Sequence, residues 1–498
     1  MSDASTPLHE LDLEHRFPRG RRVHVLGICG YAVGGAALLA MQLGYEVSGS
    51  DEEAYPPMTD VITAAGIPWA RSHDASNLDA FGVPDLVVVG NQVRRGNPEF
   101  DAVVARAIPY TSESEFYAEL TRDRVRLTVA GTHGKTTTAS LLAWILESSG
   151  MDPGFRLGTT SRDFGVSARL GGGTGTPFVF EGDEYTTALW DQRPKFLHTH
   201  PRFACVTNIE LDHPDVFADI AAYRSPFEQL AAAMPGDGLL VLNGDEAECR
   251  RLRAHATSPV TTFGAGAENE WRIVAGSEAE AAGAAADGRF RQRFAIEHDG
   301  VDVDVELSIP GAHNRANATA ALALAFVAGA DRDRALEACA TFSGASRRFE
   351  VAGRVSGITV IDDYAHHPTA VAVTVRAARR RAGAGRVIAL YVPHTYTRTR
   401  ALLHEHEHAF DGADIVRIGP IEAARERRMT PTATHQEVVE VARPHVPDIA
   451  AVDSPDAAAR EIAEIARPGD LVVVLSLGGF DKVAQRILAA LRARWEGA

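Results

Sequence analysis

Short apolar runs recur along the chain, each followed by a glycine-rich turn or by a segment whose apolar positions repeat at helical spacing. From Arg22 the order is a strand ("VHVLGI"), a glycine turn ("CGYAVGG"), a helix ("AALLAMQLG") and a second strand ("YEVSGSD"). Further strands follow at "DLVVVG" and "IPYTS". This alternation predicts a parallel, doubly wound α/β unit. A second unit opens at "TVAGTHGKTTTASLLAWIL" (residues 128–146), takes in "PFVFEGDE", "FACVTNI" and "GLLVLNGD", and runs on to an alanine-rich helix expected to start after an "HNRAN" turn. A third opens near "SRRFEVAGRVSGITVIDDY" and contains "RVIALYVP", "ADIVRIG" and "DLVVVLSLGGF".

The pattern divides the chain into a polar leader (1–20) and three α/β domains: Rossmann-like (21–124), central P-loop ATPase-like (125–344) and a second Rossmann-like unit (345–498). The stretch 275–289, rich in alanine and glycine, reads as a surface insertion.

Composition narrows the function. With 45% hydrophobic and 23% charged residues, and no apolar run near the roughly 20 residues of a membrane span, the expectation is a cytoplasmic protein without a membrane partner. The leader mixes both charge signs and lacks the order of a signal peptide. A formal charge of −16 argues against a nucleic-acid partner. Cys29, Cys205, Cys249 and Cys339 show no paired spacing and read as reduced thiols. "HEHEH" (404–408) fits a zinc-protease spacing if helical, but no further ligand pattern accompanies it, so a solvated, charged helix face is expected.

The chemistry concentrates in three places. Backbone amides of Gly131, Thr132, His133, Gly134, Lys135, Thr136 and Thr137 are spaced to wrap a triphosphate at a helix N-terminus, with Lys135 as the cation and Thr136 or Thr137 on Mg²⁺. The spacing departs from the general P-loop, because Val129 stands where that motif has its first glycine. The turn with Gly27, Gly30, Gly34 and Gly35 brings backbone near a ligand, and Asp51 lies where dinucleotide folds place an acid for ribose. A diphosphate-linked nucleoside fits this turn; a dehydrogenase is the alternative, although the strict G-x-G-x-x-G is absent. "EGDEY" (181–185) and "NIELDHPD" (208–215) end two strands with acids placed to recruit Mg²⁺ beside the triphosphate.

In order, "GTHGKTTT", "EGDEY", "NIELDHPD", "GAHNRANATAA", "SRRFE" and "DDYAHHPTA" resemble the Mur ligase family of ATP-dependent amide-forming enzymes of peptidoglycan metabolism, over nearly the whole chain. The resemblance implies that ATP lies on residues 131–137, with Asn314 and Asn317 on its adenine side and Arg348, Asp363 and His366 reaching it from the third domain. It implies Mg²⁺ on Thr136, Glu181 and His213, and catalytic roles for Lys135, His213 and Arg348. A substrate carboxylate would attack the γ-phosphate, and an amine would displace phosphate from the resulting acyl phosphate. Many members carry a carbamylated lysine where this chain has Phe227, a departure shared by the branches that use UDP-N-acetylmuramate.

Of those branches, one adds L-alanine and the other a tripeptide, L-alanyl-γ-D-glutamyl-meso-diaminopimelate. "YPPM" (55–58), "GNQVRRGNPEF" (90–100), "WDQRPKF" (190–196) and "SLGGFDK" (476–482) resemble the tripeptide branch, whereas "VPHTYTRTR" (392–400) resembles the L-alanine branch. The implied UDP-substrate residues are Gly27, Gly30, Gly34, Asp51 and Asn91. Arg193, Lys195, His394 and Arg398 are the expected acceptor cations, on faces between the second and third domains. A nucleotide-binding regulator that has lost turnover is the remaining alternative; intact Lys135, Glu181, His213, Arg348 and Asp363 speak against it.

Overall fold

The computed structural model describes residues 21–497 apart from 53, 55–57, 213–216, 281–289, 428 and 478–481. The leader, His213, most of "YPPM", most of the alanine-rich insertion and the middle of "SLGGFDK" lie outside the described residues. The rest forms three large sheets flanked by helices and a two-stranded ribbon, Thr186–Ala188 with Asp191–Pro194.

The first sheet has five parallel strands, with Arg22–Leu26 between Glu46–Ser50 and Leu86–Val89. The second is centred on Val125–Ala130, between Phe203–Val206 and Pro177–Glu181. It extends through parallel Leu239–Asn243 and Val260–Gly264 to the antiparallel hairpin Gln292–His298/Val301–Leu307. The third has six strands, five parallel and Glu350–Val355 antiparallel at its edge. Runs such as "LVVV" (Leu86–Val89) and "VIALYV" (Val387–Val392) are buried at every position. A parallel strand covered by helices on both faces demands such a run, because neither face meets water.

Register decides where function falls. Val129 pairs with both Glu181 and Cys205, so the central strands end level. Their following loops, 131–134, 182–185 and 207–212, therefore lie side by side at one edge of the sheet. The apolar core of the first domain continues into the central one: Ala168, Phe178 and Phe180 pack with Val33, Leu38 and Phe116.

Three local expectations change. The first helix spans Tyr31–Gln42, so Gly34 and Gly35 lie inside it rather than in the turn. Their small size serves packing: a Cβ on Gly34 would fall 2.6 Å from the Ile28 carbonyl oxygen, and one on Gly35 2.5 Å from the Tyr117 hydroxyl and 2.9 Å from Ala168. "HNRAN" is not a turn but the opening of helix Ala312–Val327, whose N-cap is Gly311 at φ +102°. "HEHEH" opens on a single 3₁₀ turn, His404–His406, and its middle histidine is core. His406 is buried between the Leu402 carbonyl (2.9 Å) and the Tyr391 hydroxyl (3.1 Å). All four cysteines are free and buried, and no described helix is long and apolar enough to cross a membrane.

Because Gly35 is where the first domain presses on the central one, Gly35→Ala should overpack that joint. A cost of about 1–3 kcal/mol is expected, read as a lower midpoint for the earliest transition in thermal unfolding. An unchanged midpoint would show that the joint has slack.

Candidate active site

The loop 131–134, expected from its sequence to be a phosphate loop, is shaped by two glycines at which a side chain would collide. Gly131 has φ +130°, and a Cβ there would sit 2.2 Å from Thr207 Oγ1; Gly134 has φ +82°, with Asn317 Oδ1 at 2.5 Å from its Cβ position. Asn208 Oδ1 accepts from the amides of Thr132 (3.1 Å) and His133 (2.8 Å), fixing the loop before helix Lys135–Ser148 begins. The helix's first-turn amides have no intrahelical acceptor. Lys135 Nζ donates to the carbonyls of Gly131 (2.6 Å) and Thr132 (2.9 Å) and pairs with Glu184 Oε2 at 2.8 Å. Burial alone would lower its pKa; Glu184, Glu181 and Asp183 together outweigh burial and raise it, so the ammonium keeps its charge.

Thr136 Oγ1 donates to Glu181 Oε1 at 2.6 Å, while the Gly158 amide donates to Glu181 Oε2 at 2.6 Å. Hydroxyl and carboxylate form an all-oxygen pair suited to a hard divalent cation. Asn314 and Asn317, three residues apart, share the buried face of helix Ala312–Val327, with Asn317 Nδ2 on Asn314 Oδ1 (3.0 Å). Phe227, in the place of the modified lysine, is buried against Phe196 and Tyr223.

The third domain reaches this edge directly. Arg348 Nη2 donates to Thr136 Oγ1 at 3.3 Å, its guanidinium over the Tyr364 ring. Arg398 pairs with Asp212 at 2.9 Å, both nearly fully buried, and lies 3.4 Å from His394 Nδ1. Thr369 Oγ1 donates to Glu210 Oε1 at 2.5 Å. Asp363 is buried and accepts from the amides of Phe349 (2.6 Å) and Ala365 (2.8 Å); burial raises its pKa despite Arg348. Burial, then the Arg398 charge, pushes His366 well below the usual histidine value, so its ring is neutral.

In the first domain, Gly27 at φ +83° turns the chain, and the amides of Gly27 and Ile28 donate to the Ser50 carbonyl (2.8 and 3.2 Å). Asp51 accepts from the Cys29 amide at 2.8 Å, so this carboxylate shapes the turn. Gly30 caps the first helix and Asn91 opens the loop after Leu86–Val89, both at the sheet's C-terminal edge. Beneath them a buried network fixes Glu99: His24 Nε2 (2.8 Å) on one oxygen, Ser50 Oγ (2.6 Å), His73 (3.3 Å) and Asn77 (3.3 Å) on the other. Burial opposes its ionisation, but these donors overcome burial and bring the pKa to about 2.

Two expected acceptor cations fall elsewhere. Lys195 is buried between Glu113 (3.3 Å) of the first domain and Asp183 (3.2 Å) of the centre. Arg193 is half exposed and held by Asp191, through Nε at 2.9 Å and Nη2 at 2.7 Å. The adjoining Trp190 stacks on Phe100 of the first domain. The segment thus faces the first domain, not the third: Glu113 and Phe100 lie there, while Asp183 and Asp191 are its own neighbours in the central domain. Sequence reasoning also missed Arg156, which donates to Glu113 Oε1 (2.9 Å) and the Glu181 carbonyl (2.8 Å). Burial opposes the charge of Glu113, but Lys195 and then Arg156 keep its pKa below the usual value. The signal available was an arginine closing an otherwise apolar strand, Gly154–Arg156.

Glu99 gives a pH test. Its folded pKa, about 2, lies below the ordinary 4.5, so its stabilisation is complete above the ordinary value and is lost as pH falls through about 2. The unfolding midpoints of wild type and Glu99→Gln should differ most at neutral pH and converge towards pH 2; a gap independent of pH would exclude the ionised network. Asp212→Asn leaves Arg398 buried without its counter-charge, a change worth about 3–5 kcal/mol. Faster proteolytic separation of the third domain is expected, and wild-type resistance would refute that role.

Three family models tile the chain: Mur ligase family, catalytic domain (22–125), Mur ligase middle domain (129–325) and Mur ligase, glutamate ligase domain (347–478). A UDP-N-acetylmuramate–L-alanyl-γ-D-glutamyl-meso-2,6-diaminoheptandioate ligase of Haemophilus influenzae is 36% identical over 482 residues, 95% of this chain and 100% of that one. A UDP-N-acetylmuramate–L-alanine ligase of Kineococcus radiotolerans is 37% identical over 478 residues, 95% and 97% of the two chains. The crystal structure of a murein peptide ligase from Psychrobacter arcticus matches with a TM-score of 0.71 and 30% identity, covering 95% of this chain and 99% of that one. With a glycine-shaped phosphate loop, level strand-end acids and a third domain bearing an arginine across them, the chain belongs to the Mur ligase family of ATP-dependent ligases.

Proposed function

We propose that the protein joins the lactyl carboxylate of UDP-N-acetylmuramate to the amine of L-alanyl-γ-D-glutamyl-meso-diaminopimelate, with ATP consumed through an acyl phosphate, in the cytoplasm. One observation carries the ligase reading: Arg348 of the third domain meets Thr136 of the phosphate loop, so cations from two domains converge where a triphosphate would end. The first domain takes the UDP portion on the turn around Gly27 and Gly30, with Asn91 beside it. The centre holds the triphosphate on residues 131–137, and Asn314 and Asn317 flank its base.

The fit to the cofactors rests on two features. A Cβ at Gly131 or Gly134 would collide with Thr207 or Asn317, so these positions keep backbone open for an anion. Mg²⁺ would be held by Thr136 and Glu181, with His213 as a further ligand, and would supply charge neutralisation on the phosphate oxygens. Lys135 and Arg348 counter the charge that develops as the carboxylate attacks, the main requirement of phosphoryl transfer. Arg398, with His394 beside it at 3.4 Å, supplies the cation of the acceptor site. Asp363 and His366 position Arg348 and the third-domain loop rather than meeting the nucleotide as bare charges.

The acceptor reading follows the full-length likeness to the tripeptide ligases. A second reading, L-alanine as acceptor, is favoured by the equal likeness to an L-alanine ligase and by the engagement of Arg193 and Lys195 with internal carboxylates. The test is an acceptor panel with UDP-N-acetylmuramate, ATP and Mg²⁺, read by product mass and ADP release. The tripeptide product should dominate, and Lys135→Ala should release no ADP while keeping its fold. A dominant L-alanine product would assign the chain to the other branch; normal ADP release by Lys135→Ala would remove that lysine from phosphoryl transfer.

A further inference from the structure

Beside the phosphate loop, three side chains from three separate segments converge on one point. His133 belongs to the loop itself, Glu210 follows the strand Phe203–Val206, and His367 caps the third-domain helix Pro368–Ala382. One ligating atom from each lies within 4.8 Å of the others. His133 Nε2 contacts Glu210 Oε2 at 2.9 Å, and the two imidazole centroids are 4.9 Å apart. His367 is 1% exposed, and its Nε2 has no hydrogen-bond partner among the described residues. A buried imidazole nitrogen without a partner is costly, and a ligand there removes the cost.

We propose that His133, Glu210 and His367 form a transition-metal site, of the zinc class, that ties the third domain to the phosphate loop. Two imidazoles and one carboxylate are borderline-soft donors suited to Zn²⁺ or Co²⁺, whereas Mg²⁺ prefers the oxygen pair of Thr136 and Glu181. Bond lengths of about 2.0–2.1 Å place neighbouring ligand atoms of a tetrahedral ion about 3.4 Å apart. The widest present separation therefore has to close by little more than an ångström, within the reach of side-chain rotation. Ligation through His133 Nε2 puts that ring's proton on Nδ1, and the metal takes the place of the His133–Glu210 hydrogen bond. Ligation through His367 Nε2 puts the ring proton on Nδ1 and forfeits the long cap contact from the Thr369 amide, 3.3 Å. The remaining anchor of that segment, Thr369 Oγ1 on Glu210 Oε1, stays in place and orients the carboxylate. Tetrahedral coordination leaves a fourth position for water or another ligand.

The test is metal binding by the full, metal-stripped chain, with excess Mg²⁺ present to occupy the oxygen pair. Co²⁺ should bind in a single equivalent with the intense visible absorption of tetrahedral coordination, and an equivalent of Zn²⁺ should abolish that absorption. His367→Asn, which keeps a helix-capping side chain, and Glu210→Gln should each weaken Co²⁺ at least tenfold while retaining wild-type circular dichroism. His445→Ala, in the exposed group Glu407, His408 and His445, should bind as wild type does. Absence of tetrahedral Co²⁺ in the wild type, undiminished binding by folded His367→Asn, or loss of binding in His445→Ala would each overturn the proposal. None of these readouts depends on which acceptor the enzyme uses.

Discussion

Carboxylates buried at the ends of the central strands are the constraint around which the three domains are arranged. A buried carboxylate is tolerable only where a cation or several donors reach it. Each is answered differently. Glu181 receives a threonine hydroxyl and a backbone amide, Asp183 a lysine, Glu184 the phosphate-loop lysine and Asp212 an arginine of the third domain. Glu113 of the first domain is answered by Arg156 and Lys195 of the centre. The same pairings that make these charges tolerable therefore join the domains. Apolar packing fixes the first domain to the central sheet, while the polar contacts Arg348–Thr136, Arg398–Asp212 and Thr369–Glu210 join the third domain across the cleft. The groups that line the cleft between the second and third domains are thus already oriented by one another.

Much of this was legible in the chain. Fully buried parallel strands leave continuous apolar runs, and nearly every such run became a strand: "DLVVVG" yielded Leu86–Val89 and "RVIALYV" yielded Val387–Val392. The loop around Gly131 and Gly134 was legible for a related reason, since positive φ and close approach admit little else. Glu181, closing a strand of the same parallel sheet, was expected to face this loop, and it meets Thr136 in the first turn of the helix that follows the loop.

The failures have physical causes as definite as the successes. Gly34 and Gly35 look like ligand-facing turn residues because the sequence records only a missing side chain, not which neighbour fills the space. Here the neighbours are Ile28, Tyr117 and Ala168. Lys195 and Arg193 looked like acceptor cations because a basic residue near an active-site motif carries no mark of its partner. Those partners, Glu113 and Asp191, are 82 and 2 positions away. Arg156 was hidden in the opposite way, by lying in a strand whose other residues are apolar. Charge pairing over long sequence separation has no periodicity, so pattern alone does not reveal it.

The junction between the second and third domains shows how much structure stands behind a single reaching side chain. Arg347 and Phe349 both adopt left-handed backbone, φ +58° and +52°, at roughly 1–2 kcal/mol each for residues with a Cβ. The surroundings hold them there. The Arg347 guanidinium donates to the carbonyls of Ser476 and Leu477, both at 2.8 Å, its amide donates to Glu350 (2.8 Å), and the Phe349 amide donates to Asp363 (2.6 Å). Between these two constrained residues Arg348 has little choice of direction, and it points at Thr136. Asp363 thus acts on the cleft through the backbone: its carboxylate fixes the turn that aims the arginine, and the strain is stored where the third domain must be held against the phosphate loop.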